Sequence, residues 1–324
     1  MNILLCGGAG YIGSHMLRRL LHDGHGVVVL DNLSTGHRAA AQGCELVVGD
    51  LLDAPLLDRL FAQHRFDALM HFCAKSLVAE SIREPHAYYL NNVSGTLNLL
   101  AAMRAHDVQR LIFSSTAAVY GIPLTDSIDE DHPRNPINPY GRSKLMVEEI
   151  LRDAARAHGL RSASLRYFNA AGASWDGSIG EAHDPATHLI PNVLRAAMPG
   201  APPLSVYGTD YPTRDGTCVR DYVHVEDLAD AHLAALAYID AHDGAHAFNL
   251  GNGAGFSVLE ILHAAGNVTG GEIPWIAAAR RDGDPGTLVA SSARARDQLG
   301  WKPLHVQIES IIESAWRWHA QRRY

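Results

Sequence analysis

Tyr140 and Lys144 stand four residues apart in NPYGRSKLMVEE (138–149), at what reads as the first turns of a helix. Residues i and i+4 share one helix face, and an ammonium beside a phenol favours the phenolate. The pair has the makings of a base; on spacing alone it is also compatible with surface decoration. A second set of residues opens the chain. Gly7, Gly10 and Gly13 form GxxGxxG between an apolar run, NILLCG, and a helical pattern, YIGSHMLRRLLHDGH. Glycines in that setting let the backbone turn tightly and approach a pyrophosphate on the helix N-terminus. Asp31 closes the next apolar run, GVVVLD. A carboxylate there can accept hydrogen bonds from an adenosine ribose and would repel a 2′-phosphate, which favours NAD over NADP. Asp50 ends the following run in the same way, within reach of the adenine.

The elements that must hold these groups alternate. NILLCG, GVVVLD, CELVVGD (44–50), FDALMHFC (66–73), QRLIFSS (109–115) and SASLRYFN (162–169) read as buried strands, with helical patterns between most of them. Strands without polar alternation, separated by helices, predict a parallel sheet covered on both faces. The expected fold is α/β: a doubly wound, Rossmann-type parallel sheet whose ligands lie at the carboxyl ends of its strands. After residue 170 glycine, proline and aspartate become frequent, and short strands (LSVYG, HAFNLG, IPWIA) mix with helices. This predicts a dinucleotide-binding domain over 1–170 and a smaller mixed α/β lobe over 171–324, with a helix near 225–239 packing back on the first domain.

The 324 residues carry a net charge of −8, with scattered basic residues, so nucleic acid is not an expected partner. No apolar stretch has the length of a membrane span, and the N-terminus lacks the features of a signal peptide. Cys6, Cys44, Cys73 and Cys218 are widely spaced, which suits a reduced, cytoplasmic setting better than a disulfide framework. None of the 19 histidines falls in a ligand motif such as HExxH, so no metal is expected.

GGAGYIGSH, LDNLSTG, HFCAKSLVAES, NNVSGTLNLL, FSSTAAVYG, PYGRSKLMVE, LRYFNAAGA, DYPTRDGTCVRDYVHVEDLADAH and RRDGDP together resemble the UDP-glucose 4-epimerase family of extended short-chain dehydrogenases/reductases. The resemblance runs in order through nearly the whole chain. GxxGxxG and YxxxK mark only the superfamily; LRYFNAAGA and DGTCVRDYVHVEDLADAH are far more specific. It implies Tyr140 as base, Lys144 as its partner on the nicotinamide ribose, and Thr116 as the relay between sugar and phenol. Hydride would leave the sugar's C4 for NAD, the 4-keto sugar would turn over, and hydride would return to the other face, so NAD is retained. NAD would lie against Gly7, Gly10, Tyr11, Ile12, Gly13, Asp31, Asn32, Asp50, Leu51, Phe72, Asn91, Ser114, Tyr140, Lys144 and Tyr167. The UDP-sugar would meet Thr116, Asn169, His188, Leu189, Tyr207, Arg220, Arg281, Asp284 and Leu288. A homodimer is implied, through the helices at 91–106 and 139–158.

The chain departs from the family pattern at several places. Ser76, with Lys75 adjacent, stands where relatives often carry a cofactor-touching lysine; His188 replaces an asparagine; Cys73-Ala74 replaces a smaller pair. Leu288 stands where enzymes restricted to glucose and galactose carry a tyrosine, which leaves room for an N-acetylated sugar. A 4,6-dehydratase would need an extra acid and base after Thr116, and the chain has Ala117-Ala118. A 4-epimerase of UDP-glucuronate or a UDP-pentose shares the same groups. A non-catalytic NAD-binding regulator usually lacks the tyrosine or the lysine.

Overall fold

The computed structural model describes every residue but Asp282. In the first half, β1 (Asn2–Cys6), β2 (Gly26–Asp31), β3 (Glu45–Val48), β4 (Ala68–His71), β5 (Arg110–Thr116) and β6 (Arg161–Tyr167) alternate with helices. The helices are α1 (Tyr11–His22), α2 (Ala54–Gln63), α3 (Val78–Arg83), α4 (Pro85–Tyr89), α5 (Gly95–Ala105) and α6 (Pro139–His158). The helix expected at 91–106 begins as a wide turn over 90–94 that joins α4 to α5. The second half contains β7 (Asn169–Ala171), α7 (Leu189–Ala196), β8 (Leu204–Tyr207), β9 (Val219–Arg220), β10 (Tyr222–His224), α8 (Val225–Ala241) and β11 (Ala245–Leu250). Then come β12 (Phe256–Ser257), α9 (Val258–Thr269), β13 (Trp275–Ala278), β14 (Thr287–Leu288), α10 (Ala293–Leu299) and α11 (Ile308–Ala320).

The main sheet has seven parallel strands in the order β11-β6-β5-β4-β1-β2-β3. The order reverses at β1, which places a ligand crevice above β1 and β4. Successive side chains of a strand point to opposite faces, and here both faces are buried. Leu4, Cys6, Leu30, Leu69, Leu111 and Phe113 pack with Leu57, Leu99 and Val147 on one side. Ile3, Leu5, Val29, Met70 and Ile112 pack with Met16, Leu20, Leu228 and Leu236 on the other. A further core gathers α7, α9 and α11 through Val193, Ile261, Ile311 and Ile312. No helix among the described residues is long and apolar enough to cross a membrane.

One strand sits elsewhere than the sequence suggests. HAFNLG was expected in the smaller lobe, but β11 pairs in parallel with β6 and becomes the edge of the main sheet. α8, which leads into it, lies along α1 and against β5 and β6. The physical reason is burial: stacked beside β6 under α8, Phe248 and Leu250 are fully enclosed. An isolated short run cannot signal which sheet it joins.

Candidate functional site

The start of α6 is fixed by local chemistry. Asn138 caps it, its side chain accepting the Gly141 amide at 2.8 Å, and Pro139 occupies the first turn, where its missing N–H costs nothing. Gly141 is needed for contact: a Cβ there would stand 2.4 Å from the Ala118 carbonyl oxygen. The helix thus seats against the turn after β5, which brings Tyr140 to the Thr116 end of that strand. Burial raises the Tyr140 pKa, and the hydrogen bond from Thr116 works against that rise. One turn on, Lys144 is buried; its ammonium donates to the Ser114 carbonyl at 2.7 Å and lies 4.7 Å from the centre of the Phe113 ring. Burial brings Lys144 down to about 7, against the opposing pull of Cys73 and Glu148. The spacing suggested a lysine that lowers the phenol directly. In the structure the ammonium is turned to the strand carbonyl, which gives a buried cation an acceptor. Ser114 and Tyr167 share a short hydrogen bond across β5 and β6, and burial pushes the Tyr167 phenol up.

The glycine turn lies beyond the carboxyl end of β1. Gly7 is left-handed at φ +84°, and a Cβ there would be 2.8 Å from the Cys73 amide nitrogen. A Cβ at Gly13 would lie 2.0 Å from the Gly7 carbonyl oxygen. At Gly10, by contrast, a Cβ would meet only that oxygen, at 3.4 Å, so the outer side is open. No side chain caps the N-terminus of α1. An open backbone cradle with uncapped amides fits a pyrophosphate. Asp31 is buried, and its two oxygens accept the Ala9 amide (2.9 Å) and the Leu33 amide (2.8 Å), which braces the turn against β2. Each carboxylate oxygen keeps a further lone pair for a ribose hydroxyl. Asn32 donates to Asp50 at 2.7 Å, joining the ends of β2 and β3, and Leu51 is buried beside Gly95. Ile12 is half-buried on α1. The Phe72 ring rests on His232, 4.8 Å between centres.

Some expected side chains are engaged within the chain. The Tyr11 hydroxyl donates to the Gly172 carbonyl at 2.6 Å, so its ring spans the two lobes. Asn91 donates to Asn92 at 2.8 Å. Asn92, which was not among the expected residues, accepts the Lys75 amide, donates to the Lys75 carbonyl and donates to Ser143 Oγ at 2.9 Å. Lys75 pairs with Glu80 at 3.2 Å. On the other side of the crevice, Asn169 donates to the Asp221 carbonyl at 2.8 Å. Arg220 pairs with Asp284 at 2.5 Å and donates to the Pro285 carbonyl at 2.8 Å, while Arg281 lies 4.1 Å from the centre of the exposed Tyr207 ring. Leu288 lies opposite Arg220 in the β9–β14 ladder and packs on Val119, Tyr120 and Ile128, just past Thr116. His188 stands at the N-cap position of α7 with its side chain turned instead to Glu181, at 2.5 Å. Burial lowers the His188 imidazole, but the Glu181 hydrogen bond and charge outweigh it and hold the pKa above its ordinary value. Asn169, His188 and Leu189 line one cavity with Glu181, Tyr222 and Trp318; Tyr140, Lys144 and Thr116 lie outside that lining.

A buried polar network between α6, β5 and β6 escaped the sequence reading. Glu148, one turn beyond Lys144, makes two bonds with Arg166 (2.9 and 2.6 Å) and accepts from Ser115 at 2.6 Å. Arg166 also donates to the Tyr120 hydroxyl, which donates to Asn249 on β11. The available signal was Arg166 itself, a charge inside the buried run SASLRY.

Residues 3–251 match the model of the NAD dependent epimerase/dehydratase family. The chain is 53% identical over 320 residues to the UDP-glucose 4-epimerase of Lacticaseibacillus casei, covering 98% of this chain and 97% of the relative. It superposes with a TM-score of 0.94 on the UDP-glucose 4-epimerase from Brucella ovis in complex with NAD, at 47% identity and 97% coverage of each chain. It superposes equally, at 0.94, on the enzyme from Bifidobacterium longum in complex with NAD+ and UDP, at 38% identity and 99% coverage of each.

Proposed function

Because the chain belongs to the NAD dependent epimerase/dehydratase family, we propose that it interconverts UDP-glucose and UDP-galactose at the sugar's C4, with NAD as a retained cofactor. The observation that carries this reading is the placement of Tyr140 and buried Lys144 at the start of α6, packed against the end of β5 and the turn after Thr116, at the strand ends that also present the open glycine cradle. NAD would rest on Gly7, Gly10 and Gly13, with Asp31 toward its adenosine ribose and Lys144 toward its nicotinamide end. When bound in its oxidised form it supplies a hydride acceptor, the later return of that hydride, and a positive charge near the phenol.

The chain's own residues handle the proton. Tyr140 takes it from the sugar 4-hydroxyl through Thr116 and gives it back to the other epimer. A free phenol of pKa about 10 is only ~0.1% ionised at neutral pH. Bringing it near neutrality takes about 3 units, or ~4 kcal/mol of preferential stabilisation. Burial alone works in the wrong direction, so the cationic surroundings must supply more than that. Arg220, Arg281, Asn169, His188 and Leu189 would receive the diphosphate and uridine, with Tyr207 and Asp284 beside them. Arginine suits this because its planar fork makes paired bonds to phosphate. The Arg220–Asp284 pair would hold that fork in position until phosphate arrives.

A leucine at 288, smaller than a tyrosine, supports a wider sugar pocket that also takes the N-acetylated pair. Exposed Leu97 on α5 and Met146 on α6 support a homodimer through these two helices, and light scattering of the purified protein measures it. The assay for the function is direct: purified protein is incubated with UDP-galactose, UDP-N-acetylgalactosamine, UDP-glucuronate or UDP-arabinose, and the products are resolved by chromatography. Conversion of UDP-galactose to UDP-glucose is expected; turnover of only the glucuronate or pentose nucleotide would move the substrate assignment.

A further inference from the structure

Glu181, His183 and His188, on the segment between β7 and α7, bring three metal-ligating atoms to one point. Glu181 Oε1 lies 3.0 Å from His183 Nδ1 and 2.5 Å from His188 Nδ1. The three donor atoms all fall within 4.8 Å of one another, and the two rings stand edge to face at 5.7 Å. Both imidazoles converge on the same oxygen, although a carboxylate offers two. The backbone that carries them is pinned: Trp318 Nε1 donates to the Glu181 carbonyl at 2.9 Å and Arg322 to the Ala182 carbonyl at 2.7 Å. The cluster also stands where two cavities approach each other. Glu181 and His188 line the one beside Asn169, and His183 lines the one on the glycine turn.

We propose that Glu181, His183 and His188 form a binding site for one transition-metal dication of the zinc class. Two imidazoles and a carboxylate suit such an ion, and three protein ligands leave a fourth position for water or an anion from the cavity. Ligands ~2.1 Å from a tetrahedral ion stand roughly 3.4 Å apart. The Glu181–His183 spacing is already close to this. The His188 ring must withdraw by a little under ~1 Å, a small torsional adjustment for a half-exposed side chain at a helix start. The ligands lie on a loop in the pattern Glu-x-His-x4-His, which is why no helical ligand motif was visible in the sequence. A second cluster, His224, Glu226 and His305, has similar composition. It is the poorer candidate, since His224 accepts the Glu226 amide through Nδ1 and bonds Ser314 Oγ through Nε2. The proposal does not depend on the catalytic reading.

The test is calorimetric titration of the purified, NAD-bearing protein with zinc chloride in the absence of sugar nucleotide, repeated with cobalt(II) while its visible absorption is recorded. Saturable binding of one ion per chain is expected, with the intense visible bands of four-coordinate cobalt. His183→Ala and Glu181→Gln should each weaken it by about 100-fold, at least what loss of an outer-sphere partner costs. His305→Ala should leave it unchanged. Unfolding midpoint and bound NAD check that the variants are folded; if His183→Ala is not, His183→Phe keeps the ring volume without the ligand nitrogen. Absence of saturable binding, survival of the affinity in the His183 variant, or its loss in the His305 variant would each overturn the proposal.

Discussion

At the scale of single residues, one hydroxyl and one missing ring decide the chemistry and the choice of sugar. Tyr140→Phe removes only the phenolic oxygen, so fold and bound NAD should persist. Turnover should fall by about 10³ or more, the usual worth of a positioned acid–base group being 10²–10⁴. Near-normal rates would remove Tyr140 as the proton carrier. Leu288, packed on Val119 and Tyr120 beyond Thr116, makes the second case. Leu288→Tyr should suppress turnover of UDP-N-acetylgalactosamine while largely sparing UDP-galactose, because forced overpacking costs ~1–3 kcal/mol or more. If the wild-type protein ignores the N-acetylated sugar, the pocket reading is wrong while C4 epimerisation stands. The i,i+4 spacing of Tyr140 and Lys144 was legible because it is local. That the Lys144 ammonium turns to the Ser114 carbonyl was not, because the acceptor arrives from a strand thirty residues earlier.

At the scale of elements, β5, β6 and α6 are held together by Ser115, Glu148 and Arg166, all buried. Breaking such a pair leaves an uncompensated charge and costs ~3–5 kcal/mol, whereas replacing both members with apolar residues is far milder. Glu148→Leu alone should therefore lower the unfolding free energy by about that amount, and Glu148→Leu with Arg166→Met should recover much of it. Urea unfolding of the wild type, both single variants and the double variant measures the coupling; additive losses would refute it. The six strands of the first half were legible because each is a short apolar run bounded by turn residues. β11 was misplaced because HAFNLG carries no mark of its neighbour, which is set by α8 and by the free edge of β6.

For the whole molecule, four buried histidines tie stability to pH. Burial lowers His15 and His232 to about 4, and His71 and His224 to about 3, all below the ordinary 6.5. In the unfolded chain these rings bind protons near pH 6.5, while in the folded chain they stay neutral. Their contribution is therefore present above 6.5 and lost as pH falls from there, toward 4 for His15 and His232 and toward 3 for His71 and His224. His232→Leu should flatten that acid limb, since the ring that resists protonation is removed at the loss of one hydrogen bond, to the Leu228 carbonyl. An acid limb as steep as that of the wild type would contradict this.

The claim that oxidation at C4 is undone within one bound complex is tested by isotope. UDP-glucose carrying deuterium at C4 is incubated with the purified protein, without added NAD, and the UDP-galactose formed is analysed by mass spectrometry and NMR. The deuterium should be retained at C4, because the same hydride leaves and returns, and no NADH should accumulate in solution. Loss of the label to solvent would contradict it, since that outcome requires exchange of a proton at C4 and not a returned hydride.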